Sequence, residues 1–185
     1  MTTVLIVHHS PSPVTAALSS FILDAARSAA TEANQSLGLE GDGAVKVLER
    51  HPLDPELSAD QLAEELIGAD AVLFGTTANF GYISGALKHY FDSTYMAARE
   101  KTVGKPVSWW IRGGYDTTGA AKAMRALTTG FEMRVAAEPV EFTGEWKPQQ
   151  GVLRTMAQAL VGEALGRGLG DDPRCLVGSQ LLSER

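Results

Sequence analysis

Three short apolar runs punctuate the chain: Val4-Leu5-Ile6-Val7, Ala71-Val72-Leu73-Phe74 and Val107-Ser108-Trp109-Trp110-Ile111. Continuous runs of this length fit strands covered on both faces, as in a parallel sheet. Val45-Lys46-Val47-Leu48 alternates in part and fits an edge strand. A fifth strand falls within Phe131 to Phe142, where Pro139 marks an edge position or a bulge.

The stretches between them carry helical spacing. Ser12-Pro13 opens the first helix, serine as cap and proline in the first turn. Leu18, Phe21, Ile22, Ala25 and Ala29 then give it one apolar face. Gly38, Gly41 and Gly43 break the pattern. His51 to Ser58, with two prolines, reads as a loop, and Asp60 to Ile67 as a short helix. A polar loop spans Gly75 to Tyr82, and Ile83, Leu87, Tyr90, Phe91 and Tyr95 form the inner stripe of a long helix. Thr118 to Thr128 and Gln149 to Leu165 complete the helices. Glycines from Gly166 onward suggest loose order, which divides the chain into a domain over 1–168 and a tail over 169–185.

Five strands separated by helices imply an α/β three-layer sandwich with a five-stranded parallel sheet. The second and fifth strands look least buried, and they are the edges of the order 2-1-3-4-5. That order opens a crevice between the first and third strands at their carboxyl ends. A ligand there meets the loops after Val7, Phe74 and Ile111.

The first loop, His8-His9-Ser10-Pro11-Ser12-Pro13-Val14-Thr15, is rich in hydroxyls and opens a helix, an arrangement that suits a phosphate. Ser10, Ser12 and Thr15 each offer a hydrogen bond, although Ser12 equally serves as a plain helix cap. The second loop supplies hydroxyl, amide and aromatic groups. The third, Arg112-Gly113-Gly114-Tyr115-Asp116, lets backbone approach a ligand and adds an aromatic. His8 and His9, like Trp109 and Trp110, are adjacent on a strand and point to opposite faces. His51 and His89 lack a partner at ligand spacing, so no metal site is expected. Lys88 and Asp92 lie one helical turn apart and read as a surface ion pair.

Composition narrows the classes. With 16 basic and 22 acidic residues among 185, the net charge of −6 provides no basic face for nucleic acid. No apolar stretch approaches the length of a membrane span, and the N-terminus shows no signal pattern, so a cytoplasmic location is expected. A single cysteine, Cys175, excludes an internal disulfide. The first strand is not followed by a phosphate-binding Gly-x-x-x-x-Gly-Lys motif.

The stretch from Ala69 through Gly75-Thr76 and Phe80-Gly81 to Ser84-Gly85 and Leu87-Lys88 resembles the flavodoxin-like group of NADPH-dependent FMN reductases and NAD(P)H quinone reductases. Their pattern is a strand, a G-T-P-x-x-x-G loop and an S-G-x-x-K helix. The resemblance implies FMN, its phosphate at Ser10, Ser12, Val14 and Thr15 with His9 beside them. It places Thr76, Thr77, Ala78, Asn79, Phe80 and Gly81 along the isoalloxazine ring, and Arg112, Gly113, Gly114, Tyr115 and Asp116 at its other side. It implies NAD(P)H as co-substrate and a quinone or flavin as electron acceptor, with no catalytic acid or base required of the protein. The alternative is a flavodoxin-like electron carrier or binding module without reductase activity. Two departures stand out: Thr77 occupies the usual proline position, and Pro11 and Pro13 contribute no N–H. The aromatics Tyr82, Tyr90, Phe91 and Tyr95 exceed what one subunit is expected to bury, which suggests a homodimer.

Overall fold

The structure, a computed structural model, describes residues 1–170. Three strands are buried along almost their whole length: β1 (Thr2–His8), β3 (Ala71–Asn79) and β5 (Pro106–Gly113). They pair in parallel in the order β1, β3, β5, with Val7 beside Phe74 and Phe74 beside Trp109. β2 (Val45–Arg50) flanks β1 in parallel, its half-exposed pattern fitting an edge. The fifth strand is split. β6 (Arg134–Val135) and β7 (Val140–Thr143) each pair with β5, and Pro139 sits in the gap. With β6 and β7 counted together the order is 2-1-3-4-5, as expected.

Alternation along the strands feeds two cores. Leu5, Val7, Val72, Phe74, Trp109 and Ile111 face α2 (Ala59–Gly68), α3 (Gly85–Ala98) and α4 (Thr118–Gly130). Val4, Ile6, Leu73 and Trp110 face α1 (Pro13–Leu37) and α5 (Gln150–Gly170). The paired tryptophans therefore enter opposite cores, each at most 2% exposed. Trp110 lies across Gly75 so closely that a Cβ there would strike its ring.

Some elements depart from the sequence reading. The polar stretch after Gly75 continues as strand: Ala78 and Asn79 pair antiparallel with Ile83 and Tyr82 of β4 (Tyr82–Ile83). Ile83 thus lies ahead of α3, which starts only after the Ser84 cap. Tyr90 and Phe91 are both 1% exposed and Tyr95 packs against Phe131, so of the four aromatics thought to exceed one core, only Tyr82 is exposed. α5 runs to Gly170, past the predicted Leu165, and Gly168 packs against Thr2. Cys175 and the rest of the proposed tail from 171 lie outside the described residues. Lys88 and Asp92 do pair, at 2.5 Å.

Candidate functional site

The candidate site lies where β1 and β3 end side by side. The chain leaves β1 at His8, and the His9 N–H donates to the Gly75 carbonyl at 3.0 Å, which fastens the first loop to β3. Ser12 then caps α1 in a reciprocal pair. Its Oγ accepts from the Thr15 N–H, and Thr15 Oγ1 accepts from the Ser12 N–H at 3.0 Å while donating to the Ser12 carbonyl at 2.9 Å. Thr15 is 4% exposed. Ser10 Oγ is engaged too, by His8 Nδ1 at 3.0 Å and by a short bond to Ser19 Oγ.

The three hydroxyls expected to point at a phosphate are thus tied up within the protein. Pro13 has no N–H, and the Thr15 and Ala16 N–H groups bond Ser12, so Val14 carries the first-turn N–H left over by the cap. Ser19, which steadies Ser10, carries no signal of its own in the sequence.

The second loop is a hairpin. Phe80 and Gly81 have φ of 50° and 75°, the left-handed pair that a two-residue turn between twisted strands requires. Thr76 Oγ1 accepts from the Ser84 N–H at 3.0 Å, so this side chain ties the hairpin to α3 instead of facing the crevice. Thr77 Oγ1 is buried and has no hydrogen-bond partner among the described residues. Phe80 projects fully into solvent.

The third loop ends β5. Arg112 Nε donates to the Gly144 carbonyl at 2.9 Å. The exposed Asp116 carboxylate accepts from the Thr118 N–H and hydroxyl, which start α4 and hold its pKa below the usual carboxylate value. Gly113 is closely packed by Asp116 and Thr117, whereas a Cβ on Gly114 would meet open space. Tyr115 is fully exposed. Gly119, in the first turn of α4, abuts the Gly81 carbonyl so tightly that any side chain would collide with it. The second and third loops therefore form one rim, a role for Gly119 that helical composition gave no reason to expect.

Among the described residues, two buried polar atoms at this end of the sheet have no hydrogen-bond partner: Thr77 Oγ1 and His9 Nδ1. Buried polar groups are overwhelmingly paired, so both point to a bound group. Burial lowers the pKa of His9, with His51 adding to the effect, which favours a neutral ring able to accept or donate. A phosphorylated aromatic cofactor fits this set. Such a group would meet a helix N-terminus, two unsatisfied polar atoms and a rim bearing two exposed aromatic rings. Cavities of about 500 and 400 Å³ also open against α5, away from this crevice.

The sequence pattern of the NADPH-dependent FMN reductase family matches residues 3–146. The chain belongs to that family. No curated protein matches it. Among solved structures, the chain resembles an archaeal flavodoxin with a TM-score of 0.64 at 14% identity, covering 88% of this chain and 99% of that one. An oxidoreductase from Corynebacterium diphtheriae gives 0.65 at 16% identity, covering 93% and 99%. The flavodiiron protein from Giardia intestinalis gives 0.73 at 15%, covering 94% of this chain but only 38% of its own longer one. At such identities these likenesses establish a flavodoxin-like fold, in agreement with the sheet order.

Where β1 and β2 end, His8, Glu49 and His51 come together, a cluster that sequence spacing did not bring together. His51 does have partners: its ring meets the His8 ring edge-on at 4.8 Å between centroids. His8 Nε2 lies 3.1 Å from Glu49 Oε1, and Arg27 holds the other Glu49 oxygen at 3.1 Å. Burial lowers the His8 pKa despite the Glu49 bond. Burial acts to raise that of Glu49, but His8 and Arg27 outweigh it and hold the carboxyl below its usual value. Parallel pairing explains the meeting: β1 and β2 run in register with Val7 beside Arg50, so the residues that follow emerge side by side.

Proposed function

We propose that this chain binds FMN in the crevice between β1 and β3, takes hydride from NAD(P)H and delivers electrons to a quinone or a second flavin. The observation that carries this reading is the pair of unsatisfied buried atoms, His9 Nδ1 and Thr77 Oγ1, at the ends of adjacent strands. Bound FMN would supply the chemistry of hydride acceptance and stepwise electron release.

The residues of the chain bind and orient. The Val14 N–H and the N-terminus of α1 face negative charge, and His9 and Thr77 supply polar contacts at the floor. Phe80, Gly81, Gly114 and Tyr115 border the ring from the rim. Asn79 is paired with Tyr82 in the hairpin, so its place is fixed by the ladder while its side chain stays exposed. No acid or base among them is needed, because a flavin exchanges its protons with water.

An anaerobic absorbance titration tests the proposal. FMN added to the purified protein should bind with a shifted visible band, and NADPH should then bleach it. Bound flavin that neither NADH nor NADPH reduces would instead mark an electron carrier. Absence of FMN binding would reject the site.

A further inference from the structure

We propose that His8, Glu49 and His51 form a binding site for a divalent first-row transition ion of the zinc type. One ligand atom from each of these residues lies within 4.8 Å of the others. The closest pair, His8 Nε2 and Glu49 Oε1, is 3.1 Å apart. Two ligands of a tetrahedral zinc ion, with bonds of about 2.0–2.1 Å, stand about 3.3 Å apart, so this edge of the polyhedron is already formed. His51 is exposed and follows directly after β2, so a rotamer change suffices to bring its ring nitrogen in.

The surroundings match what a metal-bound histidine needs. His8 Nδ1 is held by Ser10 Oγ at 3.0 Å, and Ser10 is steadied in turn by Ser19. Ser10 Oγ is placed to accept the Nδ1 proton, so an ion would take the place of the Nε2 proton that otherwise bonds Glu49. His8 is 3% exposed, so its ring orientation is fixed by packing, including Trp110 at 6.0 Å. Arg27 engages only Glu49 Oε2, which leaves Oε1 for the ion. Two imidazoles and one carboxylate select zinc, cobalt, nickel or ferrous iron over magnesium and calcium, which require oxygen ligands. The remaining coordination positions open on the exposed His51 side and would hold water. Such an ion would clip the end of β1 to the end of β2. Through His8 Nδ1 it would also fix Ser10, at the entry to the first loop. The site stands independently of FMN.

Isothermal titration of the full chain with zinc chloride tests this, with any histidine tag removed. The expected result is one ion per chain with a Kd below about 100 μM, weakened at least about tenfold by His51→Ala and by Glu49→Gln. Both positions are solvent-accessible, and circular dichroism should show each variant folded. Cys175→Ser should leave the titration unchanged. Failure to take up one zinc in that range, uptake indifferent to His51→Ala in the folded protein, or uptake abolished by Cys175→Ser would each overturn the assignment.

Discussion

Phe80 and Tyr115 present whole aromatic rings to water at one end of the sheet, although burying such rings is normally favourable. Each stands on a rigid support: Phe80 on a two-residue turn and Tyr115 between the packed Gly113 and the start of α4. Neither packs against the core, so replacing either with alanine should leave the melting temperature within about a degree. Stacking between aromatic systems contributes about 0.5–1.5 kcal/mol. Each substitution should therefore weaken FMN about three- to tenfold, read from quenching of flavin fluorescence. Unchanged affinity in both variants would remove the rim from the site. Lys105 lies at the other end of β5, just before Pro106. It is 3% exposed, and its ammonium donates to the Ile67 and Ala69 carbonyls at the end of α2. Burial, with Arg167 on α5 adding to it and Asp70 opposing, pushes its pKa down to about 8. The unfolded chain thus holds more protons than the folded one between pH 8 and about 10.4. Stability should rise with pH through that window, by an amount on the order of 2 kcal/mol, and be lost again on return below pH 8. Chemical denaturation at pH 7.5 and 10 would show it, and Lys105→Met should flatten the difference.

Among the elements, α1 would decide how the phosphate of the proposed FMN is held. Its cap consumes Ser12 and Thr15, which leaves one free N–H, at Val14, and the dipole of a 25-residue helix. A hydrogen bond to a charged group is worth about 1.5–3 kcal/mol. FMN should accordingly bind about ten- to a hundredfold tighter than riboflavin, the weaker end of what three free hydroxyls would give. Equal affinity for the two ligands would show that α1 does not meet the phosphate. The central strands were legible because four or five apolar residues in a row serve only a strand with helices on both faces. The fifth strand was legible as an interruption through Pro139. The β3–β4 hairpin was not. Thr76-Thr77-Ala78-Asn79 shows no apolar alternation, and the turn places a phenylalanine at positive φ where a sequence reader looks for asparagine or glycine. The strand order from which the crevice is inferred was legible in the sequence. Which of its side chains are free was hidden, because the engagement of Ser10 by Ser19 and the meeting of His8 with His51 are tertiary facts. The second follows from parallel register once β1 and β2 are known neighbours.

The whole molecule places two cores on one sheet and its candidate chemistry on a single end. Among the described residues no helix is long and apolar enough to cross a membrane. We expect two copies to pair over the loops that carry Phe80, Tyr82 and Tyr115, since apolar surface remains there while Tyr90 and Phe91 are spent inside. Light scattering at tens of micromolar should give twice the chain mass, and a monomer at that concentration would refute it. The broken fifth strand limits how such a pair can form. β6 contributes two residues and β7 four, with a proline between them that has no N–H to offer. An incoming strand finds no continuous row of donors and acceptors there, and at the opposite border it meets Lys46, Glu49 and Arg50. Lateral growth into ribbons or fibres is therefore blocked on both flanks, and contact between copies is left to loops and helices, where it can come apart again.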